Sequence, residues 1–189
     1  MQQPTRFPTS VTPDDVISFW FEELDPAQWW RVDSKVDGTV TARFGALHAQ
    51  AARGEMAGWR VTPAGRLAEI VLLDQFSRNI WRNTPRAFVC DAMALVLAQE
   101  AVGAGADMAL EIDKRRFFYM PYMHSESAEI HRQAVSLFEQ EGLEDNLRFE
   151  LRHQEIILQF GRYPHRNAIL GRPSTMAEIE FLTQPGSSF

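Results

Sequence analysis

Apolar residues recur along the chain at the three- and four-residue spacing of helices. Thr12 then Pro13 reads as an N-cap followed by proline at the first helical position. Asp14 and Asp15 suit the positive end of the helix dipole, and Val16, Ile17, Phe19, Trp20 and Leu24 supply an apolar side. This predicts a first helix ending at Asp25-Pro26. Val36, Val40, Phe44, Leu47 and Ala51 predict a second, although Gly38 and Gly45 weaken it. Thr62-Pro63 repeats the capping device and opens a third helix that runs to Trp81 or Arg82. Asp91 is positioned to cap a fourth, Ala92 to Val102, closed by Gly103 and Gly105. A fifth, about Ile112 to Met120, should stop at Pro121. Ser125 should cap a sixth, Glu126 to Glu141. Leu147 to Phe160 forms a seventh with Gly161 just past its end, and Thr175 with Glu178 makes a capping box for a last short helix carrying Ile179 and Leu182.

No segment alternates in the manner of a strand, and the one Asp-Gly pair, Asp37-Gly38, lies inside helical periodicity. The fold class is therefore all-α. About eight helices with short links suggest antiparallel hairpins, as an irregular bundle or an α-solenoid. No clean repeat of about 34 residues is visible to decide between them. With 189 residues and 45% hydrophobic content the chain suits a single helical domain. Its ordered core should span about 13–183, with tails at 1–11 and 184–189.

Composition narrows the function classes. There are 19 basic and 25 acidic residues, a net charge of −6, which argues against a protein that coats nucleic acid. All the cations except Lys35 and Lys114 are arginines, a skew that base composition explains but that also suits bidentate recognition of carboxylate or phosphate. The lone cysteine, Cys90, excludes an internal disulfide and any CxxC site, and reads as a small half-buried hydrophobe. The first residues lack an apolar stretch, and no apolar run approaches the ~18 residues of a membrane span, so a cytoplasmic protein without membrane contact is expected. GxxxxGK[ST], HExxH and GxSxG are all missing, and Gly103-Ala104-Gly105 lacks the third glycine of a dinucleotide loop. No cofactor is predicted.

Several polar residues stand where apolar ones belong. In the third helix Leu67, Ile70, Val71 and Trp81 share one side, and Asp74 and Arg78 fall in its middle, four residues apart. They should pair in a partly desolvated setting, either as a structural ion pair or with Arg78 half-available to a ligand anion. His131 is the one polar member of the stripe Ala128, His131, Val135, Phe138. His153 has the same place in Phe149, His153, Ile156, Phe160. Such histidines commonly bond a core carbonyl or carboxylate, yet four of the five histidines fall between residues 124 and 165, where convergence would suit acid–base chemistry. A metal would draw on His124, His131 and His153 with a carboxylate such as Glu126 or Asp74, although no tight ligand motif is present. From Ile156 to Ala177 there is no carboxylate, while Arg162, Arg166 and Arg172 invert the local sign of charge. These arginines could receive an anion or tie down a long loop. Lys114-Arg115-Arg116 runs into Phe117-Phe118-Tyr119 and reads as a helix end entering the core.

The stretches Val16–Phe21, Leu73-Asp74-Gln75-Phe76-Ser77-Arg78-Asn79-Ile80, Thr84-Pro85-Arg86-Ala87-Phe88, Phe118-Tyr119-Met120-Pro121-Tyr122-Met123-His124-Ser125-Glu126 and Phe160-Gly161-Arg162-Tyr163-Pro164-His165-Arg166-Asn167, continuing to Thr175, carry a resemblance. In these the chain resembles a family of small bacterial and fungal proteins that is a domain of unknown function, assigned to the tetratricopeptide-like helical superfamily. The resemblance spans about residues 13 to 182. It departs at Ser77, where the family usually has proline, which implies a less interrupted local helix. It implies a tetratricopeptide-like fold and lends no activity.

Three readings follow. One is a pocket for a small anionic molecule bearing carboxylate or phosphate, lined by Asp74, Arg78, Asn79, Tyr119, His124, Arg162, Tyr163, His165, Arg166, Asn167 and Arg172. The second is a scaffold that binds a peptide or protein. The third is a hydrolase-type enzyme with His124, His165, Asp74 and Glu126 as catalytic candidates.

Overall fold

The computed structural model describes residues 11–188, and within them every regular element is helical. Residues 1–10 and 189, which hold most of the expected N-terminal tail and the last residue of the C-terminal one, lie outside the described residues. α1 (Pro13–Ser18) begins with the expected Thr12 cap, and the Asp15 carboxylate accepts the Thr12 N–H at 2.7 Å in return. It continues into a π-helical turn, Phe19–Glu23, and ends where Asp25 is extended ahead of Pro26. α2 (Ser34–Ala51) is capped by Asp33 and buries Val36, Val40, Phe44, Leu47 and Ala51, while a Cβ on Gly38 or Gly45 would meet only open space.

α3 (Pro63–Val71) starts at its Thr62 cap. Gly65 is required there, because a Cβ would come within 2.0 Å of the Trp59 carbonyl oxygen. The helix passes through a π-helical turn, Leu72–Phe76, and resumes as α4 (Ser77–Ile80). This continuous rod is the centre of the molecule, with Leu67, Val71, Leu72, Leu73 and Phe76 fully buried. Phe76 meets Phe19 and Trp20 edge-on, with centroids at 5.9 and 5.5 Å, so α1 is pinned to the rod by aromatic packing. Trp81 is only half-buried, with the Arg86 guanidinium over its ring, so the apolar side of the rod ends one turn earlier than its spacing implies.

α5 (Asp91–Gly103), α6 (Ile112–Met123), α7 (Ala128–Phe138) and α8 (Glu144–Phe160) each pack on the next. The short α9 (Asn167–Leu170) and α10 (Met176–Leu182) close the chain, α10 with the expected capping box. Two boundaries and one buried face differ from expectation. Pro121 sits inside α6 instead of stopping it: Phe117 to Met123 are all buried, and their packing outweighs one lost backbone bond near the helix end. α7 begins at Ala128 behind Ser127, not at Glu126, because the Ser125 carbonyl and the Glu126 carboxylate are engaged elsewhere. On α8 His153 and Ile156 are buried as expected, but Phe149 is 44% exposed, and the inner stripe reads Asn146, Glu150, His153, Ile156 and Ile157. No helix is long and apolar enough to cross a membrane among the described residues.

Candidate functional site

The π-helical turn determines where Asp74 points. Widening the helix by one residue at Leu72–Phe76 lets Asp74 sit almost wholly buried inside the central rod. Its carboxylate is fully used. Oδ2 accepts the Gln75 side-chain amide at 2.6 Å, while Oδ1 faces His124 Nδ1 at 2.7 Å and Arg78 Nη1 at 3.2 Å. The 3.2 Å contact is the four-residue ion pair anticipated along the helix, and Arg78 Nη1 also donates to the Asp74 carbonyl at 2.8 Å.

Arg78 then forks onto Asp91, with Nη1 and Nη2 at 3.0 and 3.1 Å from its two oxygens. Asp91 Oδ2 also accepts Arg166 Nη1 at 3.3 Å, and Arg166 Nη2 donates to the His124 carbonyl oxygen at 3.0 Å. The result is a closed ring: His124, Asp74, Arg78, Asp91, Arg166 and back to the His124 backbone. Arg166 is held by the single 3₁₀ turn Pro164–Arg166, and its guanidinium lies over the Phe88 ring at 4.7 Å and the Tyr163 ring at 4.6 Å. Two side chains flank the ring: Glu126 accepts Arg172 at 2.6 and 2.9 Å and the Tyr163 N–H at 2.8 Å, and His165 lies against Tyr163 with centroids 5.4 Å apart.

Two carboxylates face two guanidinium groups in the ring, and burial acts on each group differently. Burial opposes ionisation of Asp74, but Arg78 and His124 outweigh it and hold its pKa at about 2. His124 is pushed below its ordinary value by burial and by the Arg78 charge, against the pull of Asp74. It is therefore neutral at pH 7 with Nδ1–H donated to Asp74, which leaves the Nε2 lone pair; no partner for Nε2 occurs among the described residues. Arg166 is pushed down by burial and by its neighbour Arg78, which Asp91 only partly offsets. Its side chain is 8% exposed, and its buried Nε–H has no acceptor among the described residues.

The other expected site residues are distributed elsewhere. Asn79 bonds Asp37, which also holds Arg82, and so ties α4 to α2. Tyr119 donates to Asp107 at 2.6 Å, in the core. Arg162 forks onto Glu178 and the Pro173 carbonyl beside a separate open depression of about 490 Å³. Asn167 stands one step behind the ring, accepting Arg172 Nε at 2.9 Å and donating to Ser174. His131 and His153 bond separate partners: His131 pairs with Glu150 at 2.6 Å, while His153 Nδ1 donates to the Phe149 carbonyl. No group of three or more His, Cys, Asp or Glu side chains able to hold a metal occurs among the described residues.

Sequence reasoning missed three residues, one in the ring, one beside it and one in the His131 pair. Asp91 reads as a helix cap, but Cys90 occupies that position and the Asp91 carboxylate turns to the two arginines. Phe88 carries no polar signal at all; its only hint is its place in the motif just before Asp91. Glu150 falls one residue outside the stripe drawn from Phe149, where the true helical register would have revealed it.

The architecture is thus an all-α protein built around a buried His–Asp–Arg ring. The chain belongs to the family described as "Bacterial protein of unknown function (DUF924)", whose model matches residues 16–186. It is similar to a solved structure of a protein of unknown function, ATU0120 from Agrobacterium tumefaciens, at 36% identity and a TM-score of 0.86, over 90% of this chain and 96% of that one. No curated protein matches it.

Proposed function

We propose that the ring binds a small anionic ligand, with Arg166 and Arg78 taking its ionised group and His124 Nε2 accepting a hydrogen bond from it. The observation that carries this reading is Arg166: a desolvated cation, shared with Arg78 over one carboxylate, with a buried donor left unpaired. A buried donor without an acceptor costs roughly 1–3 kcal/mol, a cost that an incoming oxyanion removes. Thermal-shift and calorimetric titrations with inorganic phosphate, sulfate, acetate and citrate test it. Binding that Arg166→Gln weakens at least tenfold is expected. A blank panel for the wild-type protein rejects the reading.

A second reading, His124 as a catalytic base, is favoured by one observation: Asp74 fixes the tautomer and leaves Nε2 to take a proton. A screen of phosphate and carboxylate esters, with His124→Ala as the control, tests it. Turnover that persists in the variant removes His124 from the chemistry.

A further inference from the structure

Asp91 stands where a ligand anion would stand. Its two oxygens take the Arg78 fork at 3.0 and 3.1 Å, and Oδ2 takes Arg166 at 3.3 Å, the bidentate geometry by which guanidinium groups recognise carboxylate and phosphate. Asp91 is thus shared by two guanidinium groups: Arg78 also has Asp74 at 3.2 Å, whereas Arg166 has no second carboxylate among the described residues, and its Nε–H remains unserved. Asp91 is also the first residue of the 13-residue α5, whose Cys90 cap contributes no side-chain bond. A carboxylate in that first turn keeps the favourable field of the helix N-terminus after it has released the arginines.

We propose that Asp91 is a built-in occupant of the anion site and selects for a dianionic phosphoryl group, as in a phosphomonoester, over a monocarboxylate. This rests on the anion-binding reading above. A monocarboxylate from solution brings the same charge and the same two oxygens as Asp91. Asp91 competes from within the chain at an effective concentration in the millimolar range or higher, so such an exchange gains nothing. A phosphoryl group carries about −1.5 to −2 at pH 7 and three terminal oxygens. Two of them replace Asp91 on the Arg78 fork and on Arg166 Nη1, and the third, with the second negative charge, strengthens the hold on Arg166, whose charge Asp91 meets through one oxygen at 3.3 Å. No covalent bond changes; one anion is exchanged for another, and Asp91 moves onto the start of α5.

The test compares wild-type protein, Asp91→Asn and Asp91→Ser, each checked for fold by circular dichroism, with inorganic phosphate and acetate at pH 7.5. Calorimetry gives the affinities, and the ¹⁵N shifts of the His124 ring report occupancy of this site. The wild type should bind phosphate at least tenfold more tightly than acetate. Removing the carboxylate should raise acetate affinity at least tenfold and narrow the preference to under threefold in whichever variant folds. A wild type that binds acetate as well as phosphate, or variants that keep the wild-type preference, overturn the role of Asp91 while leaving anion binding intact. If neither anion binds any of the three proteins, the anion-binding reading itself fails and takes this inference with it.

Discussion

Two histidine–carboxylate pairs of nearly equal length lie in this molecule, His124 with Asp74 at 2.7 Å and His131 with Glu150 at 2.6 Å. Their surroundings differ at every further step. His131 and Glu150 are fully buried, and His131 Nε2 is also spent, on the Ser125 carbonyl at 2.9 Å and near the Tyr163 hydroxyl at 3.1 Å. That hydroxyl donates in turn to the Met123 carbonyl. The pair is a sealed joint tying α7 to α8 and to the segment that follows α6. His124 keeps Nε2 in hand, its side chain is 14% exposed, and its carboxylate is shared with an arginine. The electrostatics run in opposite directions too. Burial drives Glu150 upward against the bond from His131, whereas the charges around Asp74 overcome burial and drive it down. Geometry of the pair alone does not distinguish a structural histidine from one able to act; the third partner and the net local charge do.

Breaking the sealed joint should have the largest effect. Glu150→Ala leaves His131 facing an empty, buried carboxylate site and should cost about 3–5 kcal/mol in urea unfolding, the usual result of removing one member of a buried pair. Glu150→Gln, which keeps the shape and can still bond His131, should cost less than about 1 kcal/mol at pH 7. Equal losses for the two would mean that the charge of Glu150 matters after all. The same amide exchange in the ring should behave differently. Asp74→Asn should lose about 2–3 kcal/mol at pH 7, the value of a pKa held at about 2 instead of its ordinary 3.8. Because a depressed carboxylate contributes stability above its unfolded pKa, that loss should shrink as the pH falls from about 4 toward 2. A pH-independent loss would assign Asp74 to packing alone.

Acidification sharpens the contrast by smaller increments. His124, His153 and His165 are all pushed down, chiefly by burial, with His165 at about 4 and His153 at about 3. The unfolded chain therefore takes up protons first, and stability should decline as the pH drops from about 6.5 toward 4, by up to about 1.4 kcal/mol per unit for each histidine. Glu150, raised in the folded state, contributes with the opposite sign: its stabilisation is present at acid pH and fades as the pH rises past its ordinary value. Denaturant midpoints across pH 4–8 should show Glu150→Gln with a steeper net acid loss than the wild type, and a shallower one would reverse this assignment. The smallest effect belongs to Arg162→Ala. Its partner is Glu178, away from the ring, so anion affinity measured by calorimetry should stay within twofold, whereas Arg166→Gln reduces it severely. A matching loss in both would return Arg162 to the binding site.

Much of the ring is legible in the chain. Asp74 and Arg78 betray themselves as charges on the apolar side of a helix, and Arg166 as one of three cations in a stretch without carboxylates. The same rule applied to Arg162 and Arg172 points to the wrong place or one row too far, because the carboxylates that neutralise them, Glu178 and Glu126, come from 16 and 46 residues away. Tyr119 and Asn79 fail for a similar reason: their partners Asp107 and Asp37 lie on other elements, and no periodicity reports them.

The sequence by itself determined the helices, their caps at Thr12, Thr62 and Thr175, the all-α class, and which polar residues are forced into apolar surroundings. Those are properties of spacing and local hydrogen bonding within a few residues, and the chain states them directly. The tertiary structure alone decided which of those polar residues meet. A salt bridge is formed by whichever opposite charge the packing brings within about 4 Å, and here the packing of α5 and the 163–166 turn against the central rod delivered Asp91 and Arg166 to Arg78, 13 residues and 88 residues away in the chain. It also left His131 and His124, each on a carboxylate, as a sealed joint and a histidine whose Nε2 has no partner among the described residues.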